Sequence, residues 1–282
     1  MTRPHSLRLL QMSDPHFGTE LPEVAGALRA LVAQLAPQVL VLSGDITQRA
    51  RRDQFDAARK FVDQLAIPQQ LVIPGNHDIP LFNVFARALW PYRGWQRVFG
   101  ATLEPVLDTP RLLAIGVCTT RRWRHKHGEL SATQIQRVTR LLQAGRPGQL
   151  KLIITHQPLD VVTESDRNNL VRGHAAARAA WVAAGADLFL AGHIHLPHLR
   201  ALPGLAVDAS APRLNLPMAV QAGTALSHRL RGSAPNSVNV VELFEADTAG
   251  PMARDVFGVV RRYEYQVATA AFGATAELGF SR

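Results

Sequence analysis

The sequence predicts an α/β fold, and three observations predict it. Through the first two-thirds of the 282 residues, short apolar runs alternate with longer amphipathic ones. From Leu199 to about Gln266 only strand-like runs follow, separated by Pro, Gly, Asn and Ser. The apolar runs of the first part, moreover, end one after another in Asp, His or Asn. Alternating β and α signals imply strands backed by helices, with the later β segment packed on the first sheet.

The elements follow in order. Leu7–Ser13 reads as a strand, and Pro22–Pro37 as a helix with proline near its start and a proline stop. Gln38–Gly44 is a strand, Arg52–Ala66 a helix, and "QQLVIPG" a third strand. Arg111–Thr119 is another strand. The next helix, "SATQIQRVTRLLQAG", carries Ser131 as N-cap, Gln134 as its capping-box partner and Gly145 past its end. Leu150–His156, Gly173–Gly185 and Asp187–Gly192 give strand, helix, strand, and "MAVQAGT", "SVNVVELF" and "RDVFGVVRRYEYQ" give the later strands. No low-complexity linker or internal repeat divides the chain. The reading is a single domain over 1–282: a βα-rich half to about residue 196, a mostly β half from about 197 to 267, and a short, loosely held C-terminal tail.

Composition sets bounds. Hydrophobic residues make up 47% and charged residues 19%, enough apolar material for a large core. The single cysteine, Cys118, lies in an apolar run and reads as a buried, reduced thiol, which excludes an intramolecular disulfide framework. No run approaches the roughly 18 apolar residues of a membrane span. The amino terminus lacks the apolar stretch and cleavage site of a secretory leader, so a cytoplasmic protein is expected. The net charge of +9 favours phosphate-bearing partners in a general way. Aromatic residues do not interleave with the basic clusters as base-stacking surfaces require, so nucleic acid is allowed but not favoured as a partner.

The strand ends carry the chemistry. They read Ser13-Asp14-Pro15-His16, Gly44-Asp45, Gly75-Asn76-His77-Asp78, His156, and Gly192-His193-Ile194-His195. Carboxyl ends of parallel strands share one edge, where ligands of open sheets bind. Any one of these residues alone has an ordinary reading as a turn, cap or hydrogen-bonded side chain; their recurrence at five strand ends does not. Carboxylate, amide oxygen and imidazole suit Mn, Fe or Zn rather than thiolate chemistry. Seven of these side chains, two Asp, one Asn and four His, already exceed one tetrahedral site but suffice for two ions if a carboxylate bridges. Two ions about 3.5–4 Å apart are a recurrent means of hydrolysing phosphate esters.

These five blocks, in this order from Asp14 to His195, resemble those of the calcineurin-like metallophosphoesterases. The stretch His127–Leu142 is similar to the linker-helix region of bacterial class III cyclic-nucleotide phosphodiesterases. The resemblance implies a four-layer α/β/β/α sandwich of two mixed sheets flanked by helices. It implies two transition-metal ions (Mn, Fe or Zn), with Asp14, His16 and His195 on one, Asn76, His156 and His193 on the other, and Asp45 bridging. It places His77 beside the scissile phosphate as general acid or charge stabiliser, with Asp78 supporting it. The implied reaction is hydrolysis of a cyclic nucleotide or related small phosphodiester by an activated water between the ions. A nuclease or a phospholipid-headgroup phosphoesterase is the alternative, a non-catalytic scaffold the last, and a homodimer is a family-level expectation. Arg49, four residues after Asp45, is the candidate phosphate-reading arginine, and Thr120 and Arg121 are expected at the substrate rim. His125 and His127 sit among cations, which disfavours metal ligation and suits a substrate-facing loop. His174 and His198 are further candidates to touch substrate.

Overall fold

The computed structural model describes residues 5–202, 217–244 and 257–281. Twelve strands and six α-helices are described. The first sheet begins with β1 (His5–Met12), β2 (Val39–Ser43) and β3 (Gln69–Ile73), which run parallel. The intervening helices are α1 (Pro22–Leu35), with Pro22 in its first turn, and α2 (Arg52–Gln64). The second sheet takes β5 (Leu112–Gly116), β6 (Leu150–Ile154) and β7 (Leu188–Ala191), also parallel, linked through α5 (Ala132–Ala144) and α6 (His174–Ala183). Ser131 and Gln134 form the predicted capping box of α5: the Ser131 hydroxyl accepts from the Gln134 amide and Gln134 Oε1 accepts from the Ser131 amide.

The later strands do not pack as one unit on the first sheet. β8 (His198–Ala201) and β9 (Met218–Gln221) extend the second sheet, giving the order β4-β5-β6-β7-β9-β8 with β4 at Val106–Asp108. β10 (Ser237–Phe244), β11 (Phe257–Gln266) and β12 (Ala271–Ser281) extend the first beyond β1, each antiparallel to the strand before it, in the order β12-β11-β10-β1-β2-β3. The sequence could not divide them, because strand signals do not name the neighbouring strand. The expected C-terminal tail is also corrected. Residues 267–270 turn the chain back, and β12 pairs along the full length of β11. Ala and Gly weaken the strand signal there without preventing backbone pairing. Arg254–Val256, at the start of the last predicted strand, lie outside the described residues.

Side-chain alternation explains the layering. On β1 and β2, Leu9, Val39 and Val41 point between the sheets, where they meet Leu112, Leu152 and Leu190 of the second sheet. Their neighbours Leu10, Leu40 and Leu42 point outward against Val24 and Leu28 of α1 and Phe55 and Val62 of α2. On the far side, Leu113, Ile153 and Phe189 meet Val138 and Leu142 of α5 and Trp181 of α6. Strands buried on both faces read as continuous apolar runs, as these do. The result is the predicted four-layer α/β/β/α sandwich. Two short helices, α3 (Val84–Leu89) and α4 (Arg93–Phe99), were not legible, since six or seven residues are too few for a helical period to emerge.

Candidate metal centre

The sheets pack so that the carboxyl ends of β1, β2 and β3 meet those of β6 and β7. Polar bonds join them across the interface. His156 Nδ1 lies 2.9 Å from the Ser43 carbonyl, the His193 amide donates to Asp14 Oδ2 at 2.9 Å, and Gln11 Nε2 donates to the Ala191 carbonyl at 3.1 Å. Close approach at this edge explains the glycines in the motifs. Gly44 has φ +96°, and a Cβ there would lie 2.5 Å from His156 Nδ1. A Cβ on Gly75 would overlap both the backbone and the carboxylate of Asp45.

Two clusters form around Asp45. In one, His195 Nε2 is 3.2 Å from Asp14 Oδ1 and 3.1 Å from His16 Nε2. In the other, His156 Nε2 is 3.2 Å from Asn76 Oδ1 and 3.2 Å from Asp45 Oδ1, and the His193 ring centroid lies 5.1 Å from that of His156. The second carboxylate oxygen of Asp45 faces the first cluster, 3.8 Å from His16 Nε2 and 4.0 Å from His77 Nε2. All seven residues that the resemblance assigns to metals therefore converge. The potential ligand atoms of Asp14, His16 and His195, and those of Asp45, His156 and His193, lie within 4.8 Å of one another. His16, Asp45 and His77 meet the same measure.

Two features of this edge call for a cation. His193 Nε2 is buried and makes no hydrogen bond, and Asp14 Oδ1 has only His195 Nε2 beside it at 3.2 Å, although polar atoms removed from water are otherwise almost always bonded. Asp14, His16, Asp45, His193 and His195 also hold positive φ, between 44° and 74°. Such conformations cost about 1–3 kcal/mol each and gather where function over-determines the backbone. The donors (carboxylates, imidazoles and one amide oxygen) fit two borderline divalent ions.

The electrostatics agree. Burial pushes the His16 imidazole down to about 3, against the pull of Asp45 and Asp14. Burial, reinforced by His156, pushes His193 down to about 3 as well. Both are thus neutral and able to offer a lone pair. Burial alone would lower His156, but the charge and hydrogen bond of Asp45 raise it to about 9. Asp14 raises His195 against burial in the same way. Asp14 and Asp45 are held well below the usual carboxylate range, their burial outweighed chiefly by His195 for Asp14 and by His156 for Asp45. Each of these two imidazoles is thus tuned by the carboxylate it faces, and metal binding at such a site must compete with any proton they hold.

His77 caps the group. Its Nδ1 lies 2.9 Å from the Gln48 carbonyl, which leaves Nε2 facing the clusters, and its amide donates to Asp45 Oδ1 at 2.8 Å. The expected partnership with Asp78 is corrected. The buried Asp78 carboxylate accepts instead from the backbone amides of Ile46, Thr47 and Gly75, and from the Thr47 hydroxyl at 2.9 Å. It ties the loop after β2 to the turn after β3, because three convergent N–H groups claim its oxygens.

The substrate-side expectations divide. Arg49 is exposed, stacks 5.4 Å over Phe82, and lines a crevice with Gln48, Asn76, His77, Leu81 and His125. Thr120 and Arg121 do not line it. Thr120 is buried against the Tyr92 hydroxyl, and the Arg121 guanidinium donates to the Cys118 and Thr120 carbonyls and to Gln134. They line a separate cavity of about 800 Å³ with Tyr92, Glu104 and Cys118. Cys118 is buried, as read. His174 Nδ1 lies 3.1 Å from the Val171 carbonyl at the start of α6, and both ring nitrogens of His198 are buried on β8.

Three residues at the site escaped the sequence reading. Arg229 Nη1 lies 3.3 Å from His77 Nε2, 3.4 Å from His16 Nδ1 and 2.9 Å from Gln48 Oε1, while its carbonyl receives His195 Nδ1 at 2.6 Å. Gln157 Nε2 donates to Asn76 Oδ1 at 3.2 Å. Thr224 donates its hydroxyl to the Asp14 carbonyl at 2.6 Å. Only Gln157 carried a signal, as the neighbour of His156; Thr224 and Arg229 come from a part of the chain with no strand-end motif.

An α/β/β/α sandwich with paired Asp/His clusters where its two sheets meet points to a metal-dependent phosphoesterase. Residues 7–197 match the calcineurin-like phosphoesterase family model, and the chain belongs to that family. Among solved structures, the chain is similar to a dimetal phosphatase from Danio rerio, with TM-score 0.66, 15% identity and 99% of each chain covered. It is also similar to a purple acid phosphatase from yellow lupin (Lupinus luteus) seeds, with TM-score 0.74 and 11% identity over 98% of this chain and 54% of that one. A Vacuolar Protein Sorting 29 from Cryptosporidium parvum matches with TM-score 0.52 and 12% identity, covering 99% of this chain and 100% of that one. At these identities the likenesses concern the fold. No curated protein matches the chain in sequence.

Proposed function

We propose that this metal-dependent phosphoesterase is a phosphodiesterase acting on small phosphodiesters, with cyclic nucleotides the foremost class, and that the 282 residues work as one domain. The observation that carries the hydrolytic reading is the pair of clusters sharing Asp45, with His77 Nε2 and Arg229 Nη1 set beside them. Asp14, His16 and His195 would hold one ion and Asn76, His156 and His193 the other, with Asp45 contributing an oxygen to each. Two such ions supply an activated water and neutralise phosphoryl charge.

The chain's own residues orient and complement that chemistry. The Gln48 carbonyl fixes the His77 ring so that Nε2 meets the phosphate, where it stabilises developing charge or protonates the leaving oxygen. Arg229 is a donor-only guanidinium facing two imidazole nitrogens, and a phosphoryl oxygen is a better acceptor than either. It is assigned to the phosphate, with Arg49 outside it in the crevice. Gln157 holds the Asn76 amide with its oxygen toward the second cluster. The preference for cyclic nucleotides rests on the likeness of residues 127–142 to the class III enzymes.

A hydrolysis panel with added Mn tests this reading. It compares cyclic nucleotides, an aryl phosphodiester, a phosphomonoester, single-stranded DNA and a glycerophosphodiester, using wild type and His77→Ala. Cleavage of the small diesters is expected, with kcat reduced about 10²-fold or more in the variant and metal content unchanged. A protein without two bound transition ions and inert toward every member of the panel refutes the proposal; equal activity of His77→Ala refutes the role given to His77.

A further inference from the structure

Beside the crevice stands a surface that the hydrolytic reading does not use. None of the residues of α3 is buried. Phe82, Val84, Phe85, Leu89, Trp90 and Trp123 are 56–79% exposed, and they are six of the ten large hydrophobic side chains exposed among the described residues. Backbone acceptors hold their two segments together. The Arg87 guanidinium donates to the Arg122 and Arg124 carbonyls, each at 2.6 Å, and Arg122 Nη1 donates to the Ala88 carbonyl at 2.6 Å. Trp123 is thereby fixed near the end of α3. The patch joins the site through Phe82, which lies under Arg49, and through Leu81 and His125, which line the crevice with His77.

Its charge identifies the occupant. Residues 79–103 and 119–128 contain six arginines and one lysine and neither Asp nor Glu; Arg97 and Arg124 pair with Asp56 and Glu129 outside them, and the rest of the basic charge has no carboxylate within the segments. A second copy would bring the same basic rim against itself with no carboxylate in these segments to pair with it, in a chain of net charge +9. Every residue of this helical turn is at least partly exposed, which suits insertion, and Trp123 also lines the neighbouring cavity. Phenylalanine and tryptophan at the acyl–headgroup boundary with arginine at the phosphates are the side chains that hold a protein to an anionic bilayer. We propose that the surface formed by residues 82–90 and Trp123 docks this protein on anionic lipid surfaces, with the mouth of the crevice turned toward the phosphate plane. This proposal does not depend on the reaction catalysed, because docking is read without turnover.

Cosedimentation of the purified protein with phosphatidylcholine/phosphatidylglycerol vesicles, against phosphatidylcholine alone, tests it. Binding to the anionic vesicles is expected, with a blue shift in the tryptophan emission to which exposed Trp90 and Trp123 contribute, and with weakening but not abolition in high salt. Phe85→Ser/Leu89→Ser should weaken binding about tenfold or more, while circular dichroism, melting temperature and hydrolysis of a soluble aryl phosphodiester stay unchanged. Trp123→Ser repeats the test from the other segment should the double variant fold poorly. Absence of vesicle binding, equal binding by both variants, or a solution dimer that dissociates in Phe85→Ser/Leu89→Ser overturns the proposal, the last by assigning the surface to a second copy.

Discussion

The two clusters use similar side chains but are held in place differently. Asp14, His16 and His195 all sit at positive φ, on loops that leave their strands sharply. Their outer supports come from late in the chain: Thr224 on the Asp14 carbonyl and the Arg229 carbonyl on His195. In the other cluster Asn76 and His156 have no such strain, with His156 clamped to the Ser43 carbonyl at the end of β2 and Asn76 to Gln157, whereas Asp45 and His193 share it. The His156 side chain is fully buried, whereas that of His195 is 12% exposed. Asn76 and His156 are thus held without backbone strain by neighbouring elements, whereas every residue of the first cluster is strained and two of its supports come from late in the chain. Affinity and stability should separate along this line.

The largest effect removes the distinction. Asp45 faces both clusters, so Asp45→Ala should leave neither ion in place and reduce hydrolysis of an aryl phosphodiester to background. Metal analysis after desalting checks it, and retention of one full equivalent of metal would contradict a shared carboxylate. Next, His156→Ala and His195→Ala should each lower bound metal from two equivalents toward one, but differ in stability. Removing the fully buried His156 leaves a cavity between the sheets and should lower the melting temperature of the metal-free protein clearly more than removing His195. Equal shifts would deny the difference in embedding. A smaller effect is expected at Thr224→Ala, which deletes the brace on Asp14 without touching a ligand. Losses of about 10–100-fold in metal affinity are typical for such outer partners. Competition with a chelator should show the loss at one ion only.

Much of this was legible because the decisive residues lie beside strong strand signals. Residues 71–73 lead into Asn76 and His77, and residues 152–154 into His156, so locating the strand located the candidate ligand. Gly44 and Gly75 read as part of the same signal, since close approach at that edge excludes a Cβ. Thr224 and Arg229 were hidden because contact across more than 200 residues depends on how β9 and β10 split between the sheets, which no local pattern states. Thr120 and Arg121 misled for a related reason: a strand end in the second sheet marks the right edge of the molecule without saying which way each side chain turns. Asp78 followed its sequence neighbour in the reading, whereas in the fold its contacts are set by the loop opposite.

Asp78 gives the finest test of how the second half-site is held. Its carboxyl is pushed up to about 6, first by burial and then by the charge of Asp45, although the three backbone amides pull the other way. Ionisation is therefore less favourable here than for a free carboxyl, and what the side chain supplies is acceptor capacity for the amides of Ile46, Thr47 and Gly75 and for the Thr47 hydroxyl. Asp78→Asn keeps the shape and removes the charge, but sets an amide NH₂ against those donors. A buried donor left unsatisfied costs about 1–3 kcal/mol, while relief of the repulsion from Asp45 offsets part of it, so denaturant unfolding at neutral pH should show a net loss toward the lower end of that range. Since Asp78 does not contact the His77 ring, kcat of the metal-loaded variant should change far less than in His77→Ala. A fall in kcat matching that of His77→Ala, at unchanged stability, would return Asp78 to the role of partner to the imidazole.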